Sequence, residues 1–406
     1  MGLNTILVPA YWDLTEPTEG HFDFTLTDKV LQQARRNNLK VVFLWFGAWK
    51  NSMSCYAPLW FKENHKKYPR AYTQTGKPLE IASAFSENVY QADNRAFSAW
   101  LQHIAAIDKE EGTVIMVQIE NEIGMLEDAR DYSQEADKAF RAPVPTELMN
   151  YLQKNKKTLH SQMIKKWESQ GCKKQGTWQE VFGADIYTDE IFMAWHYARY
   201  VERMAQTARS IYNVPLYVNA AMNSRGRKPG EYPSAGPLAH LIDVWRCGAP
   251  NIDILAPDLY DDGFTNWVAQ YKLHNNPLFI PEIRLTDNNG VRAFYIFGEH
   301  DAIGISPFSI EDGSDSSDSP LVQSYARLKE LMPLLTEYQG KGMMKGVLFN
   351  QKDKERIITD DDLSITCRHY FTLPWDPRAT DGSAWPEGGG LILKPVSYTH
   401  LRAHET

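Results

Sequence analysis

A chain of 406 residues has room for one core of barrel size plus a smaller appendage, because α/β barrels commonly exceed two hundred residues as single domains. The formal charge of −8 is interspersed and leaves no basic stripe, which argues against nucleic acid as a partner. No apolar run reaches membrane-spanning length, and the four cysteines (Cys55, Cys172, Cys247, Cys367) are scattered without metal-ligand spacing or a disulfide framework.

Strand-length apolar runs recur at residues 5–9, 41–46, 114–119, 216–219, 252–256, 278–280 and 302–308, separated by segments of helical period such as 28–37 and 189–212. Continuous apolar strands alternating with helices imply an α/β fold with a parallel sheet covered on both faces, and seven is close to the eight strands of the TIM (β/α)8 barrel. A doubly wound open sheet is the alternative, but no glycine-rich phosphate turn follows any strand. The stretch 127–185, rich in Lys and Gln, reads as an elaborated loop with helices. From about residue 340 the pattern changes to short β pieces at 346–350, 364–373 and 390–393, which predicts a partial antiparallel β domain. The organisation expected is therefore a barrel over 1–335, a β domain over 336–395 and a non-native tail over 396–406. His400 and His404 in that tail mimic a helical metal pair, but a third ligand is missing.

In barrels the chemistry sits where strands emerge at their C-terminal ends. Here those ends carry Tyr11-Trp12-Asp13, Gly47 to Asn51, Asn121-Glu122, Asn219, Asp258-Leu259-Tyr260 and Glu282-Ile283-Arg284. Polar and aromatic groups converge there, as a saccharide site requires, although most of the 12 Trp, 20 Tyr and 17 Phe are needed to fill a core. Hydrolysis of a glycosidic bond with retention needs one carboxyl to protonate the leaving oxygen and another to attack the anomeric carbon. Two strands supply candidates: one running into Glu120-Asn121-Glu122, the other into Glu282. Period-two alternation places Glu120 and Glu122 on one face and does not choose between them.

The segment Gln118 to Gly124 resembles the Gln-x-Glu-Asn-Glu-x-Gly signature of glycoside hydrolase family 35, the β-galactosidases of the clan A barrels. The resemblance covers about residues 2–308. It implies that Glu122 is the general acid/base, Asn121 a ligand of the sugar 2-hydroxyl and Glu282 the nucleophile, on the fourth and seventh barrel strands. The start, from Gly2-Leu3-Asn4 to Glu16-Pro17, is similar to the family's second-strand pattern, so the chain is expected to begin inside its own barrel, with the first strand missing, and to be truncated at both ends. Where the family has Cys-Ala-Glu-Trp, this chain has Ala48-Trp49-Lys50-Asn51, which puts Asn51 near a substrate-contacting position. The region after Glu282 is similar to a bacterial branch with an added C-terminal β domain.

By position, Tyr260 is expected to hydrogen-bond the nucleophile, Arg284 to share its face, Trp45, Trp49 and Trp12 to offer a stacking platform, and Tyr11 and Asn219 to line the pocket. The reading is a retaining exo-β-galactosidase that needs no metal or cofactor and takes a terminal β-galactoside as its partner. Its rivals are a retaining exo-glycosidase for glucosaminide or arabinoside and a saccharide-binding barrel without turnover. Periplasmic or secreted localisation is implied by the resemblance alone, and oligomeric state is not legible.

Overall fold

All seven apolar runs become strands, and each pairs in parallel. The computed structural model describes residues 2–222, 226–313, 315–360 and 363–394, so the tail with His400 and His404 lies outside the described residues. The chain divides into two units, Asn4–Asn276 and a second that takes residues 1–3 together with the chain from Pro277 onward.

In the first unit, β1 (Thr5–Tyr11) and β2 (Lys40–Lys50) pair in register from Thr5 with Lys40 to Tyr11 with Phe46. A short antiparallel hairpin follows, β3 (Arg70–Tyr72) with β4 (Pro78–Ala82), which the apolar pattern does not announce. The parallel order then continues through β5 (Val114–Asn121), β6 (Leu216–Ala221) and β7 (Ile254–Leu259). Two long helices cover β2 and β5. Glu87–Asp108 starts at Ser86, whose hydroxyl accepts from the Val89 N–H, and Ile186–Ile211 starts at Asp185, whose carboxylate accepts from Tyr187 and Thr188. These caps satisfy donors that a helix start leaves over. The first helix buries Val89, Ala92, Asp93, Ala96, Phe97, Trp100 and Ile104, the stripe of a period near 3.6, with one carboxylate inside it. The elaborated stretch after β5 carries helices Gln134–Arg141, Thr146–Lys154, Ser161–Glu168 and Trp178–Phe182, as its mixed character suggests.

In the second unit, β8 (Phe279–Ile283) and β9 (Gly304–Pro307) pair in parallel. Helices Asn289–His300 and Pro320–Tyr338 share a small core of Ala293, Phe294, Leu328 and Leu335 with Met344. The β pieces are antiparallel, as expected: β10 (Met344–Phe349) pairs with β13 (Gly388–Leu393), and β11 (Glu355–Asp360) with β12 (Leu363–Arg368). Gly346 is required where β10 meets the helix Asn289–His300, because a Cβ there would lie 2.1 Å from the Tyr295 carbonyl oxygen.

Candidate active site

At the mouth of β5 the alternation of a strand breaks down. Glu120 and Glu122 have φ of +58° and +47°, the left-handed region that β-strand residues avoid, at a cost of about 1–3 kcal/mol each. Across from them β2 is irregular: pairing runs from Val41/Val114 to Trp45/Ile119 and resumes only at Lys50/Asn121, so residues 46–49 arch against Glu120 alone. Asn51 and Ser52, at the end of the arch, are also left-handed. Their backbone N–H groups donate to the carbonyls of Asn121 and Glu122, both at 3.1 Å.

Glu122 is buried and held from two sides. Its backbone N–H donates to Asn219 Oδ1 at 2.9 Å, and its carboxylate accepts from the Asn51 amide. Asn219 in turn donates to Asp258 Oδ2 at 2.6 Å. Carboxylate oxygens of Glu122 and Asp258 lie within 4.8 Å of one another. Asn121 is fully buried, and neither atom of its side-chain amide has a hydrogen-bond partner among the described residues. Such an amide costs about 1–3 kcal/mol to bury, so it marks a position where polarity serves something other than stability. Gly124 closes the motif because a Cβ there would meet the Ser234 carbonyl at 2.7 Å and Ser52 Oγ at 2.9 Å.

Other expected residues fall out differently. Trp12, Trp45 and Trp49 are fully enclosed and form no stacking platform. Trp12 packs on Trp60 and Phe61, Trp45 on Phe97 and Trp100, and Trp49 edge-on against Tyr197 and Tyr200. Their apolar area is better spent in the core than at a rim. Asn219 is fully buried too, with its amide engaged at both ends, so it holds Glu122 instead of lining the pocket. Tyr11 is half-buried against Phe46 and Tyr56, and burial raises its hydroxyl pKa. Asn51 is exposed, its carbonyl oxygen accepting from the Lys50 ammonium while its amide reaches Glu122. Tyr260 is half-buried just past β7. In the second unit Glu282 is half-buried on β8, and Arg284 is exposed with its carbonyl oxygen accepting from Asn289 Nδ2 at 2.9 Å. A cavity of about 470 Å³ lies beside the β3–β4 hairpin, lined in part by Arg70, Tyr72, Phe85, Tyr132 and Ser133. None of the residues expected from the sequence lines it.

Sequence reasoning missed Asp93. It sits in the buried stripe of helix Glu87–Asp108, where it accepts from Trp45 Nε1 at 2.9 Å and from the Tyr200 hydroxyl at 2.8 Å. Spacing gives no clue to it, because an acidic residue in a helix reads as a solvated face.

Parallel strands flanked by helices, with carboxyl and amide groups gathered at strand mouths, define the class: a (β/α)-barrel-type domain with its candidate site at the C-terminal ends of the strands. Within that class the chain belongs to glycoside hydrolase family 42, whose model, described as β-galactosidase, matches residues 1–220. This corrects the family 35 resemblance. The motif that carried that resemblance runs only from Gln118 to Gly124, whereas the match to family 42 extends over more than half the chain. A second model, of a domain of unknown function (DUF5597), matches residues 321–397.

Among solved structures the chain is similar to the β-galactosidase of the psychrophilic Marinomonas ef1, with 14% identity and a TM-score of 0.55 over 83% of this chain and 56% of that one. It is similar also to a catalytic mutant of a family 42 β-galactosidase from G. stearothermophilus (15%, TM-score 0.53, 84% and 53% covered). A third is the β-galactosidase from Bacillus circulans sp. alkalophilus (14%, TM-score 0.50, 84% and 52%). The likeness establishes the fold, and the chain spans about half the length of these proteins. Comparison with curated proteins finds no match.

Proposed function

We propose that this chain is the catalytic part of a retaining exo-β-galactosidase, with residues 1–335 forming the catalytic region and 336–395 an accessory β domain. Glu282 attacks the anomeric carbon while Glu122 donates its proton to the departing oxygen. Glu122 then takes a proton from water, which releases the sugar with its configuration retained. In retaining enzymes the two carboxyls stand roughly 5–5.5 Å apart, close enough for a covalent glycosyl intermediate. Asn121 offers its amide to a sugar hydroxyl, and Asn51 and Asn219 hold the acid/base in place. No step calls for a metal or cofactor.

The observation that carries this reading is Glu122 itself: a buried carboxyl at a strand mouth, held in a left-handed turn by Asn219 and Asn51, beside a buried amide with no hydrogen-bond partner among the described residues. The test is release of p-nitrophenol from the β-galactoside, compared with the glucoside, arabinoside and glucosaminide, by the wild type and by Glu122→Ala and Glu282→Ala. Turnover of the galactoside that both substitutions abolish supports the reading. Preference for another sugar reassigns the substrate, and saccharide binding without turnover by the folded protein refutes catalysis.

A further inference from the structure

Beneath Glu122 lies a second pair of carboxyls that the double-displacement mechanism does not use. Glu120 and Asp93 are both completely buried, with their carboxyls side by side. They crowd one point: a Cβ added to Gly47 would lie 2.5 Å from Asp93 Oδ1 and 2.8 Å from Glu120 Oε1. Among the described residues neither carboxyl has an ion-pair partner. The ionisable groups around them are Tyr200 and Tyr90, and the nearby Arg203 is committed to Glu87 through two bonds of 2.7 and 2.9 Å. Two adjacent anions in such a setting repel each other strongly and lack solvation.

The two differ in what they accept. Asp93 takes hydrogen bonds from Trp45 Nε1 on one oxygen and from the Tyr200 hydroxyl on the other, enough for an ionised group. Glu120 Oε2 accepts from the Trp49 N–H at 2.7 Å, but its Oε1 finds no donor among the described residues. A proton on Oε1, donated to Asp93, satisfies both sides at once. We propose that Glu120 is a neutral carboxylic acid, hydrogen-bonded to an ionised Asp93, and that this pair is the positioning element that clamps the β2 arch on which Asn51 and Ser52 hold Glu122. Burial, followed by the charge of Asp93, acts in the same direction and raises the Glu120 pKa well above its ordinary 4.5. Because Gly47 leaves room for both carboxyls, the arch closes over them without a cation. The effect on catalysis rests on the glycosidase reading, but the shared proton does not.

Glu120→Gln tests it, because the amide is a neutral isostere that donates to Asp93 and still accepts from Trp49. Urea midpoints are measured from pH 5 to 9 for the wild type, Glu120→Gln and Asp93→Asn, together with pH profiles of kcat. A group whose folded pKa is raised contributes stability below its unfolded pKa that is lost as pH rises towards its folded pKa. The wild-type midpoint should therefore fall with rising pH, and Glu120→Gln should flatten that fall while keeping wild-type kcat. Asp93→Asn should lower kcat by about 100-fold through displacement of the arch. An unchanged pH slope in Glu120→Gln, or a loss of kcat as large as that of Asp93→Asn, would overturn the proposal. The unfolding arm needs no activity, so failure of the glycosidase reading would show in the kinetics alone.

Discussion

Replacing Asn219 by Ala removes two interactions that meet at the candidate acid/base. The buried Glu122 N–H loses its 2.9 Å acceptor, and the buried Asp258 loses a 2.6 Å donor. An unsatisfied buried N–H costs about 1–3 kcal/mol and a lost hydrogen bond to a carboxylate about 1.5–3, so the expected destabilisation is about 2.5–6 kcal/mol. Misplacing a reacting group by about 1 Å costs about 100-fold in rate, so kcat should fall by that order if the turn at Glu122 shifts that far. Asn219→Asp separates the two effects. It keeps the acceptor for Glu122 but sets a second carboxylate against Asp258, which favours a proton on one of them. Its activity should be closest to wild type at low pH and fall as pH rises, whereas Asn219→Ala should be impaired at every pH. Urea unfolding followed by Trp fluorescence, with kcat on an aryl galactoside, reads both quantities. Wild-type stability and kcat in Asn219→Ala would refute the positioning argument.

Three further outcomes follow from the packing. Gly124→Ala should cost about 1–3 kcal/mol and reduce kcat, since its Cβ meets Ser234 and Ser52 below 3.0 Å; an unaffected unfolding midpoint would contradict this. Trp45→Ala should destabilise by about 3–5 kcal/mol through loss of its contacts with Phe97 and Trp100, while the KM of whatever remains folded stays unchanged; a selective rise in KM would instead support a stacking role. His196, among Phe85, Trp178 and Phe192, has its pKa depressed to about 3 by burial. Below pH 6.5 the unfolded chain takes up a proton that the folded one refuses, so stability should fall from there towards pH 3. His196→Phe should flatten that fall in urea midpoints, and an unchanged slope would exclude His196 as its source.

The strands were legible because each is a continuous apolar run, and a parallel strand buried on both faces needs nothing else to announce it. The hairpin Arg70–Tyr72 and Pro78–Ala82 was not, because its strands are only three and five residues long. At the site, the pairing of Asn121 with Glu122 could be read from the motif, but their orientation could not. Strand alternation assumes extended φ, and the positive φ of Glu120 and Glu122 is imposed by the arch of β2, a contact between residues some seventy positions apart. The same limitation misplaced the tryptophans. A Trp at a strand end looks available for stacking until the helices Glu87–Asp108 and Ile186–Ile211 cover it. Asn219 was recognised as important and given the wrong role, since its type at a strand mouth suits a sugar hydroxyl as well as a backbone N–H.

The central claim is that Glu122 and Glu282 are the two carboxyls of a retaining displacement, and product stereochemistry in the presence of azide tests it most directly. With an activated aryl β-galactoside, Glu122→Ala should form the β-galactosyl azide, because the covalent intermediate still forms and azide needs no general base. Glu282→Ala should give the α-galactosyl azide by a single displacement. The same anomer from both variants, or no azide product from either while both remain folded, would contradict the assignment.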